Sequence, residues 1–115
     1  MRRGDIVLVD LEPVRGAEAN KRRPAVIVTN EGANLTAQRL RRGVVTVVPV
    51  TSNTARVYPF QVMLPSSDTG LDHDSKAQAE QVRSVDIARV GQRVGAVPAD
   101  LLMLVDEALR LHLAL

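Results

Sequence analysis

RRPAVIVTN, residues 22–30, sets a basic pair and a proline in front of an apolar run, 25–29, with no polar alternation. A short run rich in β-branched residues and bounded by turn signals reads as a strand buried on both faces. Pro24 suits the first positions of such a strand, where a missing N–H is tolerated. Outward along the chain, GVVTVVPV (43–50) is the clearest strand, and DIVLVDL (5–11) is a third. If 23–29 and 43–50 are antiparallel neighbours, the start of one lies beside the end of the other. Arg23 then meets Thr51-Ser52 at one end of the sheet.

The remaining segments complete a mostly antiparallel β or α+β architecture. Residues 12–22 (EPVRGAEANKR) form a polar loop longer than an ordinary hairpin connection. EGANLTAQRL (31–40) reads as a short helix or ordered loop with Asn30 as its cap. FQVML (60–64) is expected to pair next, PSSDTGLDHDSK (65–76) is loop by composition, and AQAEQVRSVD (77–86) carries one more strand. RVGQRVGAV (89–97) reads as a polar turn or an edge strand. The tail from Pro98 to Leu115 is a helix, with Pro98 at its first helical position. Leu101, Val105, Ala108 and Leu109 share one face, Leu104 and Leu111 flank it, and Asp106 and Arg110 have the spacing of an i,i+4 pair. An arc that wide can cover both the sheet and a second subunit.

The totals bound the class. The chain has 115 residues, 45% hydrophobic and 24% charged, and is expected to form a single globular domain over 1–115. It contains no cysteine, so disulfides and thiolate chemistry are excluded. No signal peptide or membrane span is expected, because Asp5 and Asp10 interrupt the N-terminal apolar stretch, and the expected compartment is the cytoplasm. Net charge is only +2, but residues 1–60 hold ten of the fifteen Lys/Arg and five of the thirteen Asp/Glu. Such a basic half suits a polyanion or an acidic protein partner.

The chemistry available is narrow. There is no glycine-rich phosphate loop and no G-x-S-x-G elbow, and there are two histidines. Asp72, His73 and Asp74 are adjacent in a loop, where neighbours seldom converge on one ion, so a solvated acidic loop is expected in place of a metal site. His112 belongs to the terminal helix as packing or surface. What remains is a guanidinium and a hydroxyl at strand ends. Arginine stabilises the extra charge of a five-coordinate phosphorus, and a hydroxyl donates to a non-bridging oxygen. RNA brings its own nucleophile, the 2′-OH. Taken by themselves, these residues equally suit a surface salt bridge at Arg23 and an ordinary turn at Thr51-Ser52.

RGDIVLVDLEPVRGAEANKRRPAVIVTN, then VVTVVPVTS, QVRSVD and a closing VDEALRLHLAL, together resemble the MazF/PemK (Kid) family of toxin–antitoxin endoribonucleases, in the family's order and over essentially the whole chain. The resemblance implies a CcdB/PemK-like, SH3-like antiparallel barrel with small helices and a C-terminal helix, acting as a homodimer. It implies cleavage of single-stranded RNA without a metal or other cofactor, leaving a 2′,3′-cyclic phosphate and a 5′-OH, and a MazE-like antitoxin as partner. By the same resemblance Arg23, Thr51 and Ser52 are catalytic. Glu18, Asn20, Lys21 and Arg22 from the loop, and Glu80, Gln81 and Arg83 from the EQVR segment, contact RNA. Ala19 stands where many members have glutamine, and Glu80 where some have a catalytic aspartate, so the proton acceptor stays open.

A guanidinium holds its proton too tightly to serve as a base, which favours charge stabilisation as the role of Arg23. Tyr58 and Phe60 are the chain's two aromatics, so RNA reading is expected to rest on hydrogen bonds and arginine stacking. Two other readings use the same fold: a toxin that poisons DNA gyrase by binding, and a catalytically silent binding module.

Overall fold

The computed structural model describes residues 1–11 and 22–115. Among these residues seven strands and three α-helices are formed: β1 (Asp5–Asp10), β2 (Arg22–Ile27), α1 (Glu31–Leu40), β3 (Val44–Thr51), β4 (Gln61–Leu64), α2 (Ser66–Thr69), β5 (Ser75–Gln78), β6 (Arg83–Asp86), β7 (Val90–Ala96) and α3 (Ala99–Leu113). Single 3-10 turns precede β6 (Ala79–Gln81) and β7 (Ile87–Arg89). Every pairing is antiparallel, in the order β4-β5-β3-β2-β1-β7, with β6 also on β3.

β2 is central, and its apolar run is divided between two cores. Val26 joins Ile6, Val48, Val50, Leu64, Val105 and Ala108 on the side covered by α3. Ala25 and Ile27 join Val7, Val9, Val45, Val47 and Ala37 on the side of α1. A strand buried on both faces has no polar position to spare, which is why RRPAVIVTN lacks alternation. β3 serves two neighbours on its far edge: Val44–Val47 pair with β6, and Val50 and Thr51 pair with β5.

The sheet curls until the segment after β4 meets β7. A Cβ on Gly95 would stand 2.5 Å from the Thr69 carbonyl oxygen, so this contact requires glycine. Gly95→Ala is expected to destabilise the protein by about 1–3 kcal/mol, the range for overpacking against a rigid neighbour. Urea denaturation measures it, and an unchanged midpoint would show that the contact yields freely.

The helix ends follow their sequence signals. The Asn30 side chain accepts from the Ala33 N–H (2.9 Å), and Arg41 closes α1 with φ 53°. The Arg3 backbone N–H donates to Glu31 (2.7 Å), which holds that carboxyl below its usual pKa, with help from the Asn34 amide. Arg3 itself donates to the Val28 carbonyl (2.8 Å) and to Asp106 on α3 (2.6 Å), so Arg3-Gly4-Asp5 is a clamp between the sheet and the last helix.

Several expectations are corrected. Asp106 and Arg110 do not pair: Asp106 is taken by Arg3, and Arg110 reaches Glu107, three residues before it (2.7 Å). Pro98 caps α3 in extended conformation, one position before the helix proper. Residues 65–76 hold α2 and the start of β5, although their composition is that of a loop. The 77–86 strand is broken by a 3-10 turn into β5 and β6, because β3 pairs with both pieces in turn. β4 pairs with β5 and not with β3. On α3, Val105 and Ala108 are buried, while Leu104 and Leu111 are more than half exposed. No helix among the described residues is long and apolar enough to cross a membrane.

Candidate active site

The register of β2 against β3 pairs Ala25 with Pro49, Val26 with Val48 and Ile27 with Val47. Two steps further along the same register, Arg23 falls opposite Thr51, and cross-strand partners share a face. β1 extends the row on one side through Val9, paired with Arg23, and β5 on the other through Lys76, paired with Thr51. Val9–Arg23–Thr51–Lys76 is therefore one line across four strands. The two prolines that frame it, Pro24 and Pro49, stiffen both strands beside the pair.

Arg23, Thr51 and Ser52 line a groove of about 960 Å³ at this end of the sheet. Asp72 and His73 contribute from the segment after α2, and Gln92 and Arg93 from β7. Arg23 is exposed, and among the described residues it forms no ion pair. The Thr51 hydroxyl oxygen accepts from the Asn53 N–H (3.2 Å). That bond fills a lone pair and leaves the hydroxyl proton able to point at an anionic oxygen. A guanidinium and a donor hydroxyl side by side make a site for an oxyanion with developing charge.

The other expected residues divide. Arg22, adjacent to Arg23 in the strand, takes the opposite face, where its guanidinium overlies Gly91. Arg83 donates to the Leu11 carbonyl (3.0 Å). Glu80 and Gln81 sit on the 3-10 turn between β5 and β6 and do not line the groove. Glu80 accepts instead from the Gln61 side chain (2.6 Å). Glu18, Asn20 and Lys21 lie outside the described residues. Asp72, His73 and Asp74 do not converge. The Ser66 N–H donates to Asp74 (2.8 Å) and holds its carboxyl below the usual range. No group of three or more His, Cys, Asp or Glu stands together among the described residues.

Lys76 went unnoticed in the sequence because SKAQ has the composition of the loop before it. It is buried to 8% exposure next to Thr51, and its ammonium donates to the Arg56 carbonyl (2.5 Å). The signal that could have found it is its position three residues before Ala79, once β5 is paired with the end of β3.

Comparison with known proteins shows the family and the fold. Residues 2–113 match the family described as PemK-like, MazF-like toxin of type II toxin-antitoxin system. The chain is 61% identical over its whole length to Endoribonuclease MazF9 of Mycobacterium tuberculosis, of which it covers 98%. Among solved structures it resembles MazF from Deinococcus radiodurans at TM-score 0.77 and 30% identity, covering 100% of this chain and 97% of that one. A MazE–MazF complex from the same organism is matched at TM-score 0.79 and 30% identity, covering 100% of this chain and 96% of that one.

Proposed function

The chain belongs to the PemK-like, MazF-like toxins of type II toxin–antitoxin systems, and from that premise we propose that its β2–β3 groove cleaves single-stranded RNA. It is an endoribonuclease toxin whose partners are RNA and a cognate antitoxin of the MazE type. The observation that carries the catalytic reading is the register that sets Arg23 against Thr51 in an open groove.

In this mechanism the RNA 2′-OH gives up its proton as its oxygen attacks the adjacent phosphorus, and the bond to the 5′-oxygen breaks as that oxygen takes up a proton, with no net proton consumed. Thr51 donates a hydrogen bond to a non-bridging oxygen, with Ser52 beside it. Arg23 offers its planar fork to the charge that accumulates on the five-coordinate phosphorus. The products are a 2′,3′-cyclic phosphate and a 5′-OH. Arg83, bonded to the Leu11 carbonyl, and Glu18, Asn20 and Lys21 extend the RNA path.

The exposed apolar side chains of α3, Met103, Leu104, Leu111 and Leu113, suit a second copy of the chain. The basic first half suits an acidic, apolar antitoxin segment that folds as it binds. The compartment that holds both partners is the cytoplasm. The gyrase reading has no finding behind it.

Purified protein incubated with total RNA in EDTA is expected to yield fragments with 5′-OH and cyclic phosphate ends at a recurrent sequence. Fragments with 5′-phosphate ends, or cleavage that needs added metal, would overturn the mechanism. Intact RNA under all conditions would overturn the activity.

A further inference from the structure

The β3–β4 connection carries the chain's two aromatics, Tyr58 and Phe60, and the fold brings them together. Their rings are parallel within 7°, with centroids 5.5 Å apart. Tyr58 nonetheless remains 44% exposed, as does Val57 beside it.

The exposed ring is held from several directions. The Tyr58 backbone N–H donates to Gln61 Oε1 (3.1 Å), and the Gln61 N–H donates back to the Tyr58 carbonyl (2.8 Å). Gln61 is fixed in turn by Glu80, whose Oε2 accepts from it at 2.6 Å. Lys76 donates to the Arg56 carbonyl, and its ammonium stands 6.0 Å from the Tyr58 ring centroid. Since Lys76 is the cross-strand partner of Thr51, one side chain links the catalytic row to the aromatic pair. A half-exposed ring, fastened through its backbone and flanked by Lys76 and Arg56, combines the two parts of a single-strand binding surface: a stacking platform and positive charge beside it.

We propose that Tyr58 is a base-stacking residue of this enzyme, receiving a nucleobase of the bound RNA strand on its exposed ring surface. The proposal rests on the endoribonuclease reading above and adds a determinant of RNA binding to it. Glu80 and Gln61 are positioning residues that hold the Tyr58 backbone, which gives Glu80 a role outside the groove. Stacking accepts any base, so the position beside Tyr58 contributes affinity more than sequence identity, with purines favoured by their larger face.

The test uses a short oligoribonucleotide carrying the mapped cut site, and a second with 2′-deoxyribose at the cut nucleotide, which binds without reacting. Tyr58→Ala is expected to raise KM and the Kd of the unreactive strand by about fivefold to a hundredfold, the span for one base stack, with kcat changed less. Tyr58→Phe keeps the ring and is expected to stay within about twofold of wild type. Single abasic substitutions along the strand should weaken binding to the wild-type protein at one position, and that penalty should vanish in Tyr58→Ala. This coupling separates stacking from a general disturbance of the loop, which would weaken all strands alike.

Unchanged RNA affinity in Tyr58→Ala overturns the proposal, and so does Tyr58→Phe as weak as Tyr58→Ala. Loss of antitoxin binding with RNA affinity intact overturns it in favour of a protein contact. Failure of the parent reading looks different: the wild-type protein then cuts no RNA, and this proposal falls with it.

Discussion

Arg23→Ala is expected to lower the rate of RNA cleavage by at least about a hundredfold, the cost of removing one preorganised charge-stabilising donor. Stability should change by no more than about 0.5 kcal/mol, because the side chain is exposed and its backbone pairing with Val9 survives the substitution. The loss should fall on kcat more than on KM, since charge accumulates on phosphorus in the transition state and not in the bound strand. Arg23→Lys keeps the charge but not the planar fork, and is expected to recover only part of the rate. Single-turnover cleavage of the mapped oligoribonucleotide, with a urea melt of each variant, provides the measurement. An alanine variant as fast as wild type would remove Arg23 from the mechanism and leave the Thr51 hydroxyl as an ordinary turn.

Leu64→Ala is expected to cost about 2–5 kcal/mol, a large share of the roughly 5–15 kcal/mol that holds a domain folded. Leu64 is fully buried at the end of β4, in the core shared with Val105 and Ala108 of α3. Removing three carbons there leaves a cavity that neither a paired strand nor a helix clamped by Arg3–Asp106 can collapse to fill. The urea midpoint should fall with an unchanged slope; a loss below about 1 kcal/mol would mean that α3 settles into the gap.

Leu104→Arg, on the exposed side of the same helix, provides the contrast. Monomer stability should stay within about 0.5 kcal/mol, while sedimentation should shift from dimer to monomer if a second copy covers that face. A dimer that persists would put the second copy elsewhere.

How much of this was legible in advance varies with the range of the forces involved. Asn30 ahead of EGAN, and Pro98 ahead of an apolar helical arc, are local signals, and both helices form where those signals stand. The run 25–28 told of burial because every side chain in it is apolar, whichever neighbour each one meets. By contrast, Asp106 has two cationic candidates. The choice of Arg3 over Arg110 depends on how α3 is laid across the sheet, and spacing along one helix does not contain that. The polar stretch 65–76 hid the start of β5 for a related reason. Its Ser75 and Lys76 are buried by the strands and the 53–60 connection around them, not by their own hydrophobicity.

The RRPAVIVTN stretch shows the same division at the site. From the sequence alone came the buried strand, the basic entrance, and Arg23 and Thr51 as the residues worth pairing. The tertiary structure supplied the register that sets them opposite each other and the groove they line. It drew Glu80 away to Gln61, and it brought Lys76 and the Tyr58–Phe60 stack to the end of the same row. Apolar periodicity and capping act within a few residues, so a linear sequence displays them. Strand register and the partner of a polar side chain are settled by which distant segments pack together, and the sequence determines that only through the whole fold.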